Sequence, residues 1–299
     1  MPWLQLFLDT NPAQLDAVEQ ALLDAGALSV TLLDAADQPL LEPGPGETPL
    51  WNSIRLTGLF DANTDMDKVC NQLQGSLSLD NLPGLSIQPL EDRDWTRAWM
   101  DNFKPMQFGK GLWICPDGFD PPEPEAINLK LDPGLAFGTG THATTALCLE
   151  WLESNRPKNM SVVDFGCGSG VLAIAALLLG AKHVWAIDND PQALIACKDN
   201  AIKNHVEGAI SIIEPTKDPK PGVIPEKGAD LVLANILAGP LITLAPTLAT
   251  FIQTDGKIVL SGILESQLPE ILDVYQEWFR MHPATIRDEW VCVAGTRLP

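Results

Sequence analysis

Apolar residues in the first ninety positions switch between the spacing of strands and that of helices, and the switches predict six elements. Trp3-Leu4-Gln5-Leu6-Phe7-Leu8 reads as a strand. Asn11-Pro12 then supplies a cap and a first-turn proline ahead of Leu15, Val18, Leu22 and Leu23, which recur at helical spacing. Gly26 closes that helix, and residues 28–33 form a second strand. Four prolines and two glycines between Gln38 and Pro49 mark a surface loop. A strand over 53–60, a helix over 65–77 and a strand over 85–90 complete the order βαββαβ. That order predicts a ferredoxin-like α+β domain over 1–91, a fold that hosts many functions.

The pattern changes at Asp94-Trp95-Thr96-Arg97-Ala98-Trp99-Met100-Asp101-Asn102-Phe103. Trp95, Trp99 and Phe103 repeat every four residues, which sets three aromatics on one helical stripe. A linker helix over 92–104, packed on a domain face, explains the stripe with fewer assumptions than an aromatic ligand platform. Pro105 ends the helix.

Beyond it, over 105–299, a proline-rich turn from Pro116 to Pro124 and a strand at 127–131 lead into alternating elements. Strands are expected near 161–167, 184–188, 209–214, 230–235 and 256–263, and helices near 170–179, 191–204, 238–252 and 267–279. Such alternation predicts an open, parallel, doubly wound α/β sheet. The stretch from Thr285 to Arg297 reads as two strands, so an antiparallel C-terminal hairpin closes the sheet.

Chemistry concentrates at three places in this second part. The strand Ser161-Val162-Val163-Asp164-Phe165 runs into Gly166-Cys167-Gly168-Ser169-Gly170, and a helix opens directly afterwards. Glycines let the backbone close on a ligand, and in such a sheet this turn lies where ligands bind. Eighteen residues past Gly170, a second strand ends in Asp188, placed to accept hydrogen bonds from a ribose diol. Dinucleotide sites carry GxGxxG, whereas this turn is GxGxG with Asp164 just before it. A carboxylate there opposes a pyrophosphate and suits a sulfonium and an ammonium group, which favours S-adenosylmethionine over NAD.

The second place is Asn235-Ile236-Leu237, after the fourth strand of the alternating set. Asn235 there offers a carbonyl oxygen to a substrate N–H, or it caps the helix at 238. The third is the Gly/Thr segment from Asp132 to Thr145, with Gly134, Gly138 and Gly140. It reads as a loop able to fold over a ligand, ending in Thr144-Thr145 at the start of a helix whose free N–H groups reach a carboxylate. His142 within it reads as a hydrogen-bonding structural residue rather than a general base.

Charge narrows the partners. The chain of 299 residues has 39 acidic and 19 basic side chains, a formal charge of −20. Residues 1–91 hold 13 acids against Arg55 and Lys68 alone, so the first third is the more electronegative part per residue. Phosphate backbones are repelled and basic proteins attracted. The six cysteines, at 70, 115, 148, 167, 197 and 292, form no CxxC pair, which argues against a zinc site or a disulfide framework. The opening MPWLQLFLDTNP lacks a cationic start, and no apolar run reaches the ~18 residues of a membrane helix, so a cytoplasmic, membrane-free protein is expected; a monomer is taken as its state, on which the sequence is silent.

The stretches DPGLAFGTGTHATTALCLEWL, VVDFGCGSGVLAIAALLLGA and ANILAGPL, with the DW…W linker, resemble the ribosomal protein L eleven methyltransferase family across the whole chain. The resemblance implies a class I, Rossmann-like methyltransferase domain and an S-adenosylmethionine donor. It implies methylation of the N-terminal α-amine and lysine ε-amines of a basic large-subunit ribosomal protein, which the first domain recognises. Thr145, Gly166, Gly168, Asp188 and Asn235 are the implied cofactor contacts, with Asn235 the catalytic residue and no metal. Ala143 departs from the family's pattern, where many members carry proline; this bears on loop stiffness. Two other readings remain at this point. A nucleic-acid or small-amine methyltransferase would carry NPPY-like text where Asn235-Ile236-Leu237 stands, and a non-catalytic assembly factor would bind cofactor or protein without turnover.

Overall fold

The computed structural model describes residues 3–36, 38, 48–78, 82–91, 104–131, 142–215 and 227–299. The aromatic stripe Trp95–Trp99–Phe103, most of the 38–49 loop and the glycines at 134, 138 and 140 lie outside the described residues. The chain divides into two compact units, Met1–Ala98 and Trp99–Pro299.

The first unit follows the expected order: β1 (Trp3–Thr10), α1 (Leu15–Asp24), β2 (Ser29–Asp34), β3 (Ile54–Asp61), α2 (Met66–Leu77) and β4 (Ser86–Leu90). Its strands lie in the order β2-β3-β1-β4, all antiparallel. Leu6 and Leu8 of β1 and Ile54, Leu56 and Phe60 of β3 alternate inward. They meet Leu15, Val18 and Leu22 of α1 and Val69 and Leu73 of α2 in one core. Each such side chain stabilises the fold by about 1.5–3 kcal/mol. One local expectation shifts. Asn11 and Pro12 shape a turn in which Asn11 Oδ1 accepts the Ala13 N–H at 3.0 Å, and α-helix begins only at Leu15.

In the second unit a small sheet comes first: β5 (Met106–Phe108), β6 (Leu112–Pro116) and β7 (Ile127–Leu131). The sequence showed only β7. β5 has only three residues and β6, Leu-Trp-Ile-Cys-Pro, shows no alternation; they pair because Gly109, at φ +62°, turns the chain between them. The main sheet has the order β10-β9-β8-β11-β12-β15-β13, with β14 beside β15. Here β8 is Ser161–Phe165, β9 His183–Ile187, β10 Ile210–Ile213, β11 Ala229–Asn235 and β12 Ile252–Leu264. β13 is Phe279–Met281, β14 Thr285–Arg287 and β15 Trp290–Arg297. The five strands from β10 to β12 run parallel, and β15 is antiparallel to its neighbours.

Helices α3 (Ala143–Ser154), α4 (Val171–Leu178) and α5 (Pro191–Lys203) contribute to one core together with the small sheet. Helices α6 (Ala238–Thr250) and α7 (Leu268–Tyr275) build the other. The sheet is therefore doubly wound and closed by the expected antiparallel hairpin. The helix expected to reach 279 stops at Tyr275, because Phe279 is needed in β13, where it pairs with Arg297. Among the described residues no helix is long and apolar enough to cross a membrane.

Candidate active site

The turn after β8 is built on three glycines with left-handed backbones: Gly166 at φ +75°, Gly168 at +52° and Gly170 at +80°. L-residues avoid this region, so the turn requires glycine. A Cβ on Gly166 would lie 2.3 Å from Ile236 Cγ2, and one on Gly170 would lie 2.5 Å from Cys197 Sγ. The turn is tied to the end of β9 by backbone bonds. Gly166 and Cys167 both donate N–H groups to the Ile187 carbonyl, at 2.8 and 3.0 Å. Asp188, next in the chain, accepts the Gly168 N–H through Oδ2 at 2.8 Å and the Asp190 N–H through Oδ1 at 3.0 Å. Gly168 and Asp188 are thus joined directly. Each carboxylate oxygen keeps a further lone pair for a ligand hydroxyl. Asn200 of α5, itself buried, holds the turn from behind by donating to the Ser169 carbonyl at 3.0 Å.

Gly170 caps α4 without a side chain, leaving first-turn N–H groups to be met otherwise. Asp164 meets one of them: its Oδ2 accepts the Ala173 N–H at 2.9 Å. The sequence placed Asp164 beside a ligand; the structure gives one of its oxygens to a helix start. Its other oxygen, Oδ1, is buried without a hydrogen-bond partner among the described residues. Burial raises its pKa to about 7, Asp188 adds to the rise, and the Ala173 bond opposes it.

A second group assembles at the end of β11. The Asn235 amide donates through Nδ2 to Thr145 Oγ1 at 3.2 Å, across 90 residues of sequence. Asn235 does not cap α6. Leu237 is the capping residue there, and no side chain bonds to that helix start. Thr145 is buried in the first turn of α3, whose cap is His142. The His142 ring accepts from the Thr144 N–H at 3.4 Å, lies 2.8 Å from Thr144 Oγ1, and sets its edge against Trp290 at 4.8 Å. His142 therefore has structural partners on both sides.

Three residues that the sequence reading passed over hold Asn235 in place. Ile236 is wedged between the glycine turn and a bulge in β12. A Cβ on Gly262, at φ +82°, would lie 2.3 Å from the Ile236 carbonyl oxygen. Ser261, the register partner of Asn235, is fully buried and donates toward the carbonyls of Val291 at 2.8 Å and Thr144 at 3.3 Å. A glycine following the apolar run Ile258–Leu260 within the strand was the available signal for this bulge. Among the described residues no group of three or more His, Cys, Asp or Glu is placed to hold a metal.

The family model described as ribosomal protein L11 methyltransferase (PrmA) matches residues 2–298. The chain belongs to this family. Proteins of that name from Azotobacter vinelandii (strain DJ) and Ectopseudomonas mendocina (strain ymp) are each 50% identical to it over 299 residues, spanning 99% of this chain and all of the relative. A crystal structure of ribosomal protein L11 methylase from Lactobacillus delbrueckii subsp. bulgaricus is 33% identical, with a TM-score of 0.59 over 66% of this chain and all of that one. As a member of PrmA, the chain is a protein methyltransferase of the S-adenosylmethionine-dependent class.

Proposed function

We propose that this enzyme methylates the N-terminal α-amine and lysine ε-amines of ribosomal protein L11, as the names of its relatives suggest for the substrate. The observation that carries the site assignment is the Asn235–Thr145 bond, which brings α3 to the end of β11, while Ile236 packs on Gly166 of the cofactor turn. S-adenosylmethionine, when bound, supplies an electrophilic methyl group on a sulfonium. The residues fit such a molecule: a glycine turn without room for side chains, the Asp188 carboxylate for the ribose diol, and a buried acid, Asp164, where a cation is welcome. Gly166 and Gly168 belong to the turn, and Thr145 and Asn235 meet at the end of the neighbouring strand β11.

Attack on carbon needs a neutral amine, and a lysine holds its proton up to a pKa of about 10.4 in water. A dry site lowers that value. With its N–H bonded to Thr145, the Asn235 amide offers its carbonyl oxygen to an N–H of the amine, which aims the lone pair. Catalysis is then mainly positioning. Asn235→Ala is expected to lower kcat by about 10²-fold while cofactor affinity changes little. Near-normal turnover would refute the role.

The first unit, taken as a ferredoxin-like domain over 1–91, is the recognition module, and 105–299 is the catalytic domain. Its βαββαβ order and antiparallel sheet support the fold. Its 13 acids against two bases support a basic protein partner in the cytoplasm. Substrate capture should weaken as salt rises. A salt-independent KM for the protein substrate would remove electrostatic recognition from the account.

A further inference from the structure

Asp164 is a buried carboxyl group whose protonation state the mechanism above leaves open. It is fully buried in the middle of the second unit, on β8 between Ala186 of β9 and Leu233 of β11. A charged carboxylate in such a place requires compensation by a cation or by several hydrogen bonds. Asp164 has one, from the Ala173 N–H at the start of α4. Its Oδ1 has none among the described residues.

Among the described residues, the groups that shift its ionisation offer no positive charge. Asp188 at the end of β9 repels it. Cys167 in the turn and Cys148 on α3 lie close enough to feel its charge, and their thiols are pushed up and stay neutral. The Ala173 N–H lies at the positive end of the α4 dipole, and one helix end offsets only part of the cost of burial.

We propose that Asp164 keeps its proton in the free enzyme and releases it to solvent when the cationic methyl donor binds at the adjoining turn. The inference rests on the reading of that turn as the S-adenosylmethionine site. In the step, the carboxyl O–H bond breaks, the proton leaves to buffer, and the new negative charge is balanced by the ligand's positive charge. A carboxyl group titrating near neutrality makes the coupling visible in an accessible range. Cofactor affinity then depends on pH although none of the cofactor's own groups titrates there.

Calorimetry on the full chain, with S-adenosylmethionine as ligand and no protein substrate, tests this. The window runs from about pH 5.5 to about pH 7, below the ordinary α-amine pKa of about 7.7–8.0. Buffers of different ionisation enthalpy should report release approaching one proton per site at the acidic end. Affinity should gain up to about tenfold per pH unit, flattening above neutrality. Asp164→Asn should bind more weakly and lose both the proton release and the slope. Should that variant fail to fold, infrared spectroscopy of the wild type serves instead. A protonated-carboxyl carbonyl band should vanish on adding cofactor. Uptake without proton release, or a band that persists, overturns the inference and leaves the cofactor site standing. No uptake at all overturns both.

Discussion

The ends of β8 and β11 both bound the candidate site, yet they are held by different means. The β8 turn is stitched through its own backbone N–H groups: Gly166 and Cys167 donate to the Ile187 carbonyl and Gly168 to the Asp188 carboxylate, at the end of the neighbouring strand. The β11 end is held by side chains and by missing side chains. Asn235 leans on Thr145, while Ile236 occupies space that Gly166 and Gly262 leave open. A backbone-stitched turn announces itself in a short run of residues. A packed clamp is written in positions far apart, and its parts depend on one another. The two ends should therefore respond differently to substitution.

Gly262→Val should have the largest effect. It puts a β-branched residue at φ +82° with its Cβ against the Ile236 carbonyl. A cost of about 3–5 kcal/mol is expected in urea unfolding, with activity falling more than cofactor binding because Asn235 moves. Unchanged stability would dissolve the clamp as described.

Asp164 supplies the next effect, through pH. Its native pKa of about 7 lies above the ordinary carboxyl value, so between the two the native state holds a proton that the unfolded chain has lost. Stability from this group is present at acid pH and is lost as pH rises through about 7. Between pH 5 and 8 the free wild type should lose about 2–3 kcal/mol more than Asp164→Asn, as measured by denaturant titration at each pH. Parallel pH curves would deny the shift.

Gly166→Ala comes third, at about 1–3 kcal/mol, from a left-handed backbone and the approach to Ile236 Cγ2. Ile236→Ala added to it should recover part of the loss, since the clash is with a side chain. Strictly additive costs in that double-mutant cycle would separate the two ends of the site. Thr145→Val should be mildest in stability, about 1 kcal/mol, because it removes one hydrogen bond and keeps the shape. Its signature is kinetic: kcat should fall roughly tenfold with a nearly constant cofactor Kd as the Asn235 amide loses its orientation. A loss confined to cofactor binding would assign Thr145 to the ligand alone.

The legible parts were those with a local cause. β8, β9 and α5 carry apolar runs and a capping Asp190-Pro191 that leave little choice of element. The glycine turn and Asp188 were readable from spacing alone. β5, β6 and β13 were not: β5 and β13 have three residues each, β6 is an apolar run without alternation, and all three borrow their stability from neighbours in the sheet. Asp164 was visible as a residue but not as a helix cap, since Ala173 lies nine positions on and in another element.

By itself the sequence determined most of the elements, the glycine turn, the acid at the end of β9 and the charge asymmetry of the first 91 residues. Each follows from chemistry within a few residues or from a simple sum. Tertiary structure alone decided that Asn235 bonds Thr145 and not α6, that Ile236 needs both Gly166 and Gly262, and that Asp164 is cut off from water. Those facts depend on which distant atoms compete for the same volume and which charges lose their solvent, and neither is defined until the sheet has closed.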